Sequence, residues 1–204
     1  MIMHQLFPRA VAHGKVEGGI TGEEVEYVRG LEYRANTREG IRFNAISWEQ
    51  QLLHKPEMKR LYDYAMGMLT SYYREILGAP DTVTPKIINS WSNLTTQGVF
   101  HGQHTHHNSL VSGVIYVNVD DSDRITYYDT RYRGMDFIVP EEKRNMFNAR
   151  EVSLFVEQGD IIIFDSDMHH AVPSVETDHD RLSIAFNSYP TGIWGQDASH
   201  ITLD

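Results

Sequence analysis

The 204-residue chain contains no cysteine. Disulfides, thiolate metal ligands and cysteine nucleophiles are therefore excluded, which fits a reducing compartment. No stretch approaches the roughly 18 consecutive apolar residues of a membrane helix. The opening Met1-Ile2-Met3-His4-Gln5 has neither a basic start nor an apolar run, so it does not read as a secretory signal, and no membrane partner is expected. Positive charge is scarce: 18 Lys and Arg stand against 28 Asp and Glu, a net charge of −10. The basic residues occur as isolated pairs, Lys59-Arg60 and Lys143-Arg144. Nucleic-acid binding draws on clustered cations, so that class of substrate is disfavoured. No Pro/Gly/Ser-rich linker, internal repeat or low-complexity segment divides the chain, and one domain over 1–204 is expected.

With 41% hydrophobic residues the chain can form an ordinary globular core. Residues 1–84 read as mainly helical. Thr21-Gly22-Glu23-Glu24 has the form of a capping box opening a helix toward Leu31, and Ser47-Trp48-Glu49-Gln50 repeats the pattern ahead of Leu52 and Leu53. Pro56 suits the first turn of a longer helix. Its apolar positions from Leu61 to Ile76 recur at three and four, and Gly78 is its stop. The tyrosines Tyr62, Tyr64, Tyr72 and Tyr73 suit packing of that helix on a sheet.

After Pro85 the pattern becomes that of strands. Segments 87–91, 98–103, 109–119, 124–129, 152–156, 160–164, 171–174 and 182–189 are short and rich in β-branched and aromatic residues. Asp120-Asp121-Ser122-Asp123 and Gly159-Asp160 are turns. Helices followed by about eight short strands predict an α+β chain. Its strands would form a double-stranded β-helix, a jelly-roll or cupin-like sandwich, with the N-terminal helices packed on the sheet. The catalytic core would span 85–190, with a C-terminal tail over 191–204. The polar stretch 130–149, containing Arg131, Arg133, Gly134 and Arg144, reads as an insertion or mobile loop near the barrel mouth.

The chemistry concentrates in the histidines. His104 and His106 are one residue apart and so share a face of an extended chain; Thr105 and His107 take the other. His101 would approach only through a bulge. A second cluster, His169-His170, follows the apolar run Ile161-Ile162-Ile163-Phe164. Adjacent residues of a strand cannot both point inward. His170 is preferred because Ala171-Val172-Pro173 continues the strand, with His169 as the alternative. Any one of these histidines alone is more often a core or surface residue than a ligand. Together, His104, His106 and His170 predict a metal site. Imidazoles suit Fe, Zn, Cu and Ni. An iron oxygenase site uses two histidines and a carboxylate, whereas this chain offers a third histidine. Asp165 or Asp167 remains open as a carboxylate donor, and a neutral third ligand leaves one more net positive charge on the metal.

Arg181 follows His170 by eleven positions. Its planar fork suits bidentate hydrogen bonding to the distal carboxylate of 2-oxoglutarate. Ser183 shares its face and adds a hydroxyl; Tyr116 lies on the strand leaving the histidine pair. The competing structural reading makes Arg181 a surface residue paired with Asp178 or Asp180. Asn93 and Asn187 are candidates for support around the ligands, and Trp91 reads more readily as core.

These residues also carry a resemblance. Trp91-Ser92-Asn93, His104-Thr105-His106-His107-Asn108-Ser109 and Ser112-Gly113-Val114-Ile115-Tyr116-Val117 resemble a family of 2-oxoglutarate/Fe(II) oxygenases of bacteria and phages. So do Gly159-Asp160-Ile161-Ile162-Ile163-Phe164, His170 and Arg181-Leu182-Ser183-Ile184-Ala185-Phe186-Asn187. The similarity covers about 86–190, and the family is similar in layout to prolyl hydroxylases. It implies a jelly roll that uses Fe(II), 2-oxoglutarate and O2 and releases succinate and CO2. Tyr116 stands where prolyl hydroxylases place a tyrosine on the distal carboxylate. Family members often have proline in place of His107. The expected partner is a small-molecule or peptidyl substrate, the expected location the cytoplasm of a bacterium or a phage-infected host, and a sheet edge leaves room for a homodimer. Two other readings remain open: a cupin-like metalloenzyme that does not use 2-oxoglutarate, and a non-catalytic metal-binding jelly roll.

Overall fold

The structure is a computed structural model and describes residues 1–2, 4, 6–38, 40–131 and 138–203. Its strands in chain order are β1 (Val11–Lys15), β2 (Tyr33–Arg38), β3 (Ile41–Ser47), β4 (Val83–Thr95), β5 (His101–His104) and β6 (Val111–Asn118). They continue as β7 (Arg124–Tyr128), β8 (Glu151–Phe155), β9 (Asp160–Asp165), β10 (His170–Val172), β11 (Arg181–Trp194) and β12 (Ile201–Leu203). Two helices, α1 (Gly22–Arg29) and α2 (Lys59–Ser71), lie before β4.

The strands form two antiparallel sheets. The larger has the order β1-β9-β6-β11-β4-β3-β2, with β12 added on β11; the smaller has the order β5-β10-β7-β8. The two sheets and the N-terminal helices give the expected α+β double-stranded β-helix. The period of two explains how the large sheet serves two layers. On β11, Leu182, Ile184 and Phe186 enter the core shared with Leu61, Ala65 and Leu69 of α2, whereas Arg181, Ser183 and Ala185 line a cavity on the opposite face. On β9, Ile161 and Ile163 join the helix side, while Ile162 and Phe164 pack with Ile125 and Tyr127 of the small sheet.

Outside the central strands one expectation is met and three are not. The Thr21 capping box is present, with both reciprocal hydrogen bonds at 2.9 and 3.2 Å. Ser47, however, caps no helix: it ends β3, donates to the Glu49 carbonyl and accepts the Ser92 N–H. Leu52–His54 is only a short 3-10 turn. The segment before β4 also contributes β1, β2 and β3 to the large sheet. Finally, the region beyond 190 is built into the sheet, since β11 runs to Trp194 and pairs with β12. Arg133 and Gly134 of the expected loop lie outside the described residues, while Arg131 and Arg144 are exposed.

Gly113 is sterically required. A Cβ at this position would fall 2.2 Å from Cζ of Phe186, whose ring is fully buried. Something must shift to admit the methyl, and because the ring is fully buried the substitution forces repacking of the sheet core. Gly113→Ala should cost about 1–3 kcal/mol, read as a lowered urea midpoint at unchanged m-value. An unshifted midpoint would rule this out.

Candidate metal centre and adjoining cavity

His104 ends β5 and pairs in register with His170, the first residue of β10. His106 lies past the strand end, where its backbone N–H bonds to the Ser166 carbonyl at 2.9 Å. The ligand-capable atoms of His104, His106 and His170 all lie within 4.8 Å of one another. Each ring is anchored through Nδ1: His104 on the Gly102 carbonyl at 2.8 Å, His106 on Asn187 Oδ1 at 2.5 Å and His170 on the Met168 carbonyl at 2.9 Å. An imidazole whose Nδ1–H donates to an oxygen keeps its Nε2 lone pair free. All three rings therefore have the tautomer a metal requires. Behind His106, Asn187 Oδ1 also accepts from Ser112, whose hydroxyl contacts that of Ser166 at 2.7 Å.

The rest of the predicted cluster is arranged around this centre. His169 faces away and contacts Gln103 at 3.2 Å. His101 stacks on the His104 ring at 4.0 Å, where the β5–β10 register shifts. His107 is exposed. Asp165 receives the Tyr72 hydroxyl at 2.9 Å and pairs with Arg9 at 3.3 Å, and Asp167 also pairs with Arg9. Both carboxylates are thus engaged elsewhere, and the centre is all imidazole among the described residues.

Burial sets the protonation of these rings. It pushes His106 down to about 4, His170 to about 2, and lowers His104 as well. All three are neutral at pH 7. In the metal-free protein, the unfolded chain takes up protons below its ordinary histidine pKa of about 6.5, which the folded rings refuse. Their contribution to stability is complete above that pH and is lost on acidification through the folded values. The urea midpoint of metal-free protein should therefore fall from about pH 7 to about pH 5. A midpoint insensitive to that change would contradict the burial of the triad.

The cavity extends from the histidines to Arg181. Strand register explains its walls: Arg181 pairs with Thr95, Ser183 with Asn93 and Ala185 with Trp91 on one side, while Ser183 pairs with Tyr116 and Ala185 with Val114 on the other. All of these residues line the cavity. Arg181 is 2% exposed. It does not pair with Asp178 or Asp180 at the surface; its Nε lies 3.7 Å from Oδ1 of buried Asp123, too far for a hydrogen bond. Asp123 in turn contacts His179 at 2.8 Å. The guanidinium also sits 5.5 Å over the Tyr116 ring. The Tyr116 hydroxyl is fully buried without a partner, and burial raises it to about 12, so it is a neutral donor. Buried polar groups are nearly always satisfied. Tyr116 Oη and Arg181 Nε are thus two buried donors with no hydrogen-bond partner, one of them on a cation.

Trp91, which read as core, instead lines the cavity with its ring 5.8 Å from that of His106. Sequence reasoning did not find Asn44 or Thr95, which also line the cavity, nor the Asp123–His179 pair behind Arg181.

Residues 89–187 match the family model described as "Putative 2OG-Fe(II) oxygenase". No curated protein matches the chain in sequence. Among solved structures, an oxidoreductase of the 2OG-Fe(II) oxygenase family from Burkholderia pseudomallei is 13% identical, covers 87% of this chain and 84% of its own, and has a TM-score of 0.59. The epimerase SnoN from nogalamycin biosynthesis, solved with Fe3+, alpha ketoglutarate and nogalamycin RO, is 15% identical over 96% and 82% at 0.61. A Pseudomonas putida prolyl-4-hydroxylase is 16% identical over 89% and 94% at 0.55. At these identities the likeness establishes the fold.

Proposed function

We propose, from the match of residues 89–187 to the 2OG-Fe(II) oxygenase family model, that His104, His106 and His170 hold the iron, and that Arg181, Tyr116 and Ser183 hold 2-oxoglutarate. The observation that carries this reading is the pairing of two fits in one cavity. Three neutral imidazoles present free Nε2 atoms at one end, and a buried arginine with an unpartnered tyrosine hydroxyl waits at the other. The polarity of a keto dicarboxylate suits that arrangement, with its keto-acid end toward the histidines and its distal carboxylate on the arginine fork.

Bound there, iron with 2-oxoglutarate and dioxygen supplies the oxidising chemistry, which we assign to hydroxylation of a substrate C–H bond with release of succinate and CO2. The chain's own residues supply the setting. The Nδ1 anchors fix the three rings, and Asn187 with its serine network orients His106. Val114, Ile125 and Val172 line the cavity with apolar surface and exclude water from its wall. Trp91 is placed beside His106, where a substrate would approach the metal.

The substrate is a small molecule or a peptidyl side chain. No helix among the described residues is long and apolar enough to cross a membrane. The cytoplasm of a bacterium or of a phage-infected cell suits a cysteine-free chain.

The test is succinate formation from 2-oxoglutarate by Fe(II)-loaded protein on exposure to air, without added substrate. Slow succinate production that requires both iron and O2 is expected. Tight iron binding with no succinate and no 2-oxoglutarate binding would instead favour the cupin-like or non-catalytic readings.

A further inference from the structure

We propose that Asn44 is a co-substrate-positioning residue, contributing an amide donor to bound 2-oxoglutarate from a strand outside the family-matched segment. The inference rests on the reading of the cavity as the 2-oxoglutarate site.

Asn44 lies on β3, whereas the family match begins at residue 89. It is 0% exposed and lines the cavity. Its backbone N–H bonds the Phe100 carbonyl at 3.1 Å, so it sits where the edge of the large sheet meets the segment entering β5. Its Nδ2 donates to Asn93 Oδ1 at 2.8 Å, and its Oδ1 is buried with no partner. Leaving such an atom unsatisfied is costly, and most proteins avoid it. A residue retained at this cost, on the wall of a cavity whose other unsatisfied atoms are Tyr116 and Arg181, is best explained by a ligand that satisfies it.

The place along the cavity identifies that ligand. Asn93 is the register partner of Ser183, one inward-facing pair beyond Thr95 and Arg181. Continuing along β11 in the same direction reaches Asn187, which holds His106. Asn93 therefore lies between the clamp and the triad, and Asn44, which the β3–β4 register places level with Thr95 and Arg181, reaches it from the clamp end. An asparagine amide can present either end. With both amides turned, Asn93 Nδ2 donates to Asn44 Oδ1, and the Asn44 NH2 takes the unsatisfied position. An anionic oxygen selects that arrangement, and the neutral amide adds a donor without a second charge.

The experiment is calorimetric titration of the full chain, loaded with redox-silent Zn(II), with 2-oxoglutarate, for wild type, Asn44→Ala and Asn44→Asp. Zinc affinity and thermal midpoint are measured alongside. The expected result is zinc affinity within about twofold of wild type in both variants. Affinity for 2-oxoglutarate should fall at least about tenfold in Asn44→Ala, the loss of one hydrogen bond to a charged group. In Asn44→Asp, where a carboxylate would face a carboxylate, it should fall beyond detection. A structural role would instead lower the thermal midpoint and leave the 2-oxoglutarate affinity of the folded variants intact, which overturns the proposal. Should wild type itself bind zinc but no 2-oxoglutarate, the co-substrate reading of the cavity falls, and the Asn44 assignment with it.

Discussion

Replacing His170 by alanine should lower Fe(II) affinity by more than about 100-fold and abolish succinate formation. Disturbing groups that merely support a ligand costs about 10–100-fold in metal affinity or activity, and removing one of only three donors must exceed that. The fold should survive, because His170 sits at the first residue of a three-residue strand and its backbone pairings do not depend on the ring. His169→Ala is the matched control: its ring contacts Gln103 outside the centre, and iron affinity should not change. Asn187→Ala belongs between these two, since it frees the His106 ring without removing a donor. Anaerobic Fe(II) titration of the three variants checks the order. If His170→Ala bound iron as wild type does, the assigned triad would be wrong, and a 169-for-170 reversal would show that the strand register at the centre is shifted.

How far this centre was legible in the sequence depended on the length scale of each signal. The triad was visible because two short-range rules suffice, alternation for His104 and His106 and strand continuation for His170. Arg181 and Ser183 were legible for the same reason, being alternate residues of a long strand whose other face is apolar. Strands β4 to β11 were visible from β-branched runs, whereas β12 was not. Strands β2 and β3 were not, because Tyr33-Arg34-Ala35-Asn36-Thr37-Arg38 has no apolar alternation; it lies at the sheet edge, where only one neighbour must be satisfied. The Ser47 pattern imitated a capping box because serine and glutamate at that spacing also suit a strand end, where Ser47 bridges Glu49 and Ser92 instead. Asn44 had no local signal at all. It is one polar residue in a strand of mixed character, Ile41–Ser47, and its burial arises only when β3 docks on β4, which is a tertiary event. Asp123 likewise read as one of four turn residues until the fold placed it behind Arg181.

Arg181 should control co-substrate binding without touching the metal. Arg181→Ala removes the only formal cation lining the cavity among the described residues, so 2-oxoglutarate affinity should fall by about 100-fold or more, from charge-assisted hydrogen bonds worth roughly 1.5–3 kcal/mol each. Arg181→Lys keeps the charge but loses the fork; an intermediate fall of about tenfold is expected. Stability should respond differently from affinity. Asp123 is 4% exposed, and in Arg181→Ala it loses its nearest cation, which for a buried pair costs up to about 3–5 kcal/mol. Here the cost should lie below that range, because Asp123 keeps His179 at 2.8 Å and the Asp120 N–H at 3.0 Å. Lysine would retain the counter-charge and most of the stability. The two substitutions thus separate the roles of one residue: charge alone sustains Asp123, whereas charge with geometry holds the dicarboxylate. The KM for 2-oxoglutarate, Fe(II) affinity and urea midpoints together decide it. A KM unchanged in Arg181→Ala would remove the clamp from the cavity and leave a metal centre of the cupin-like kind.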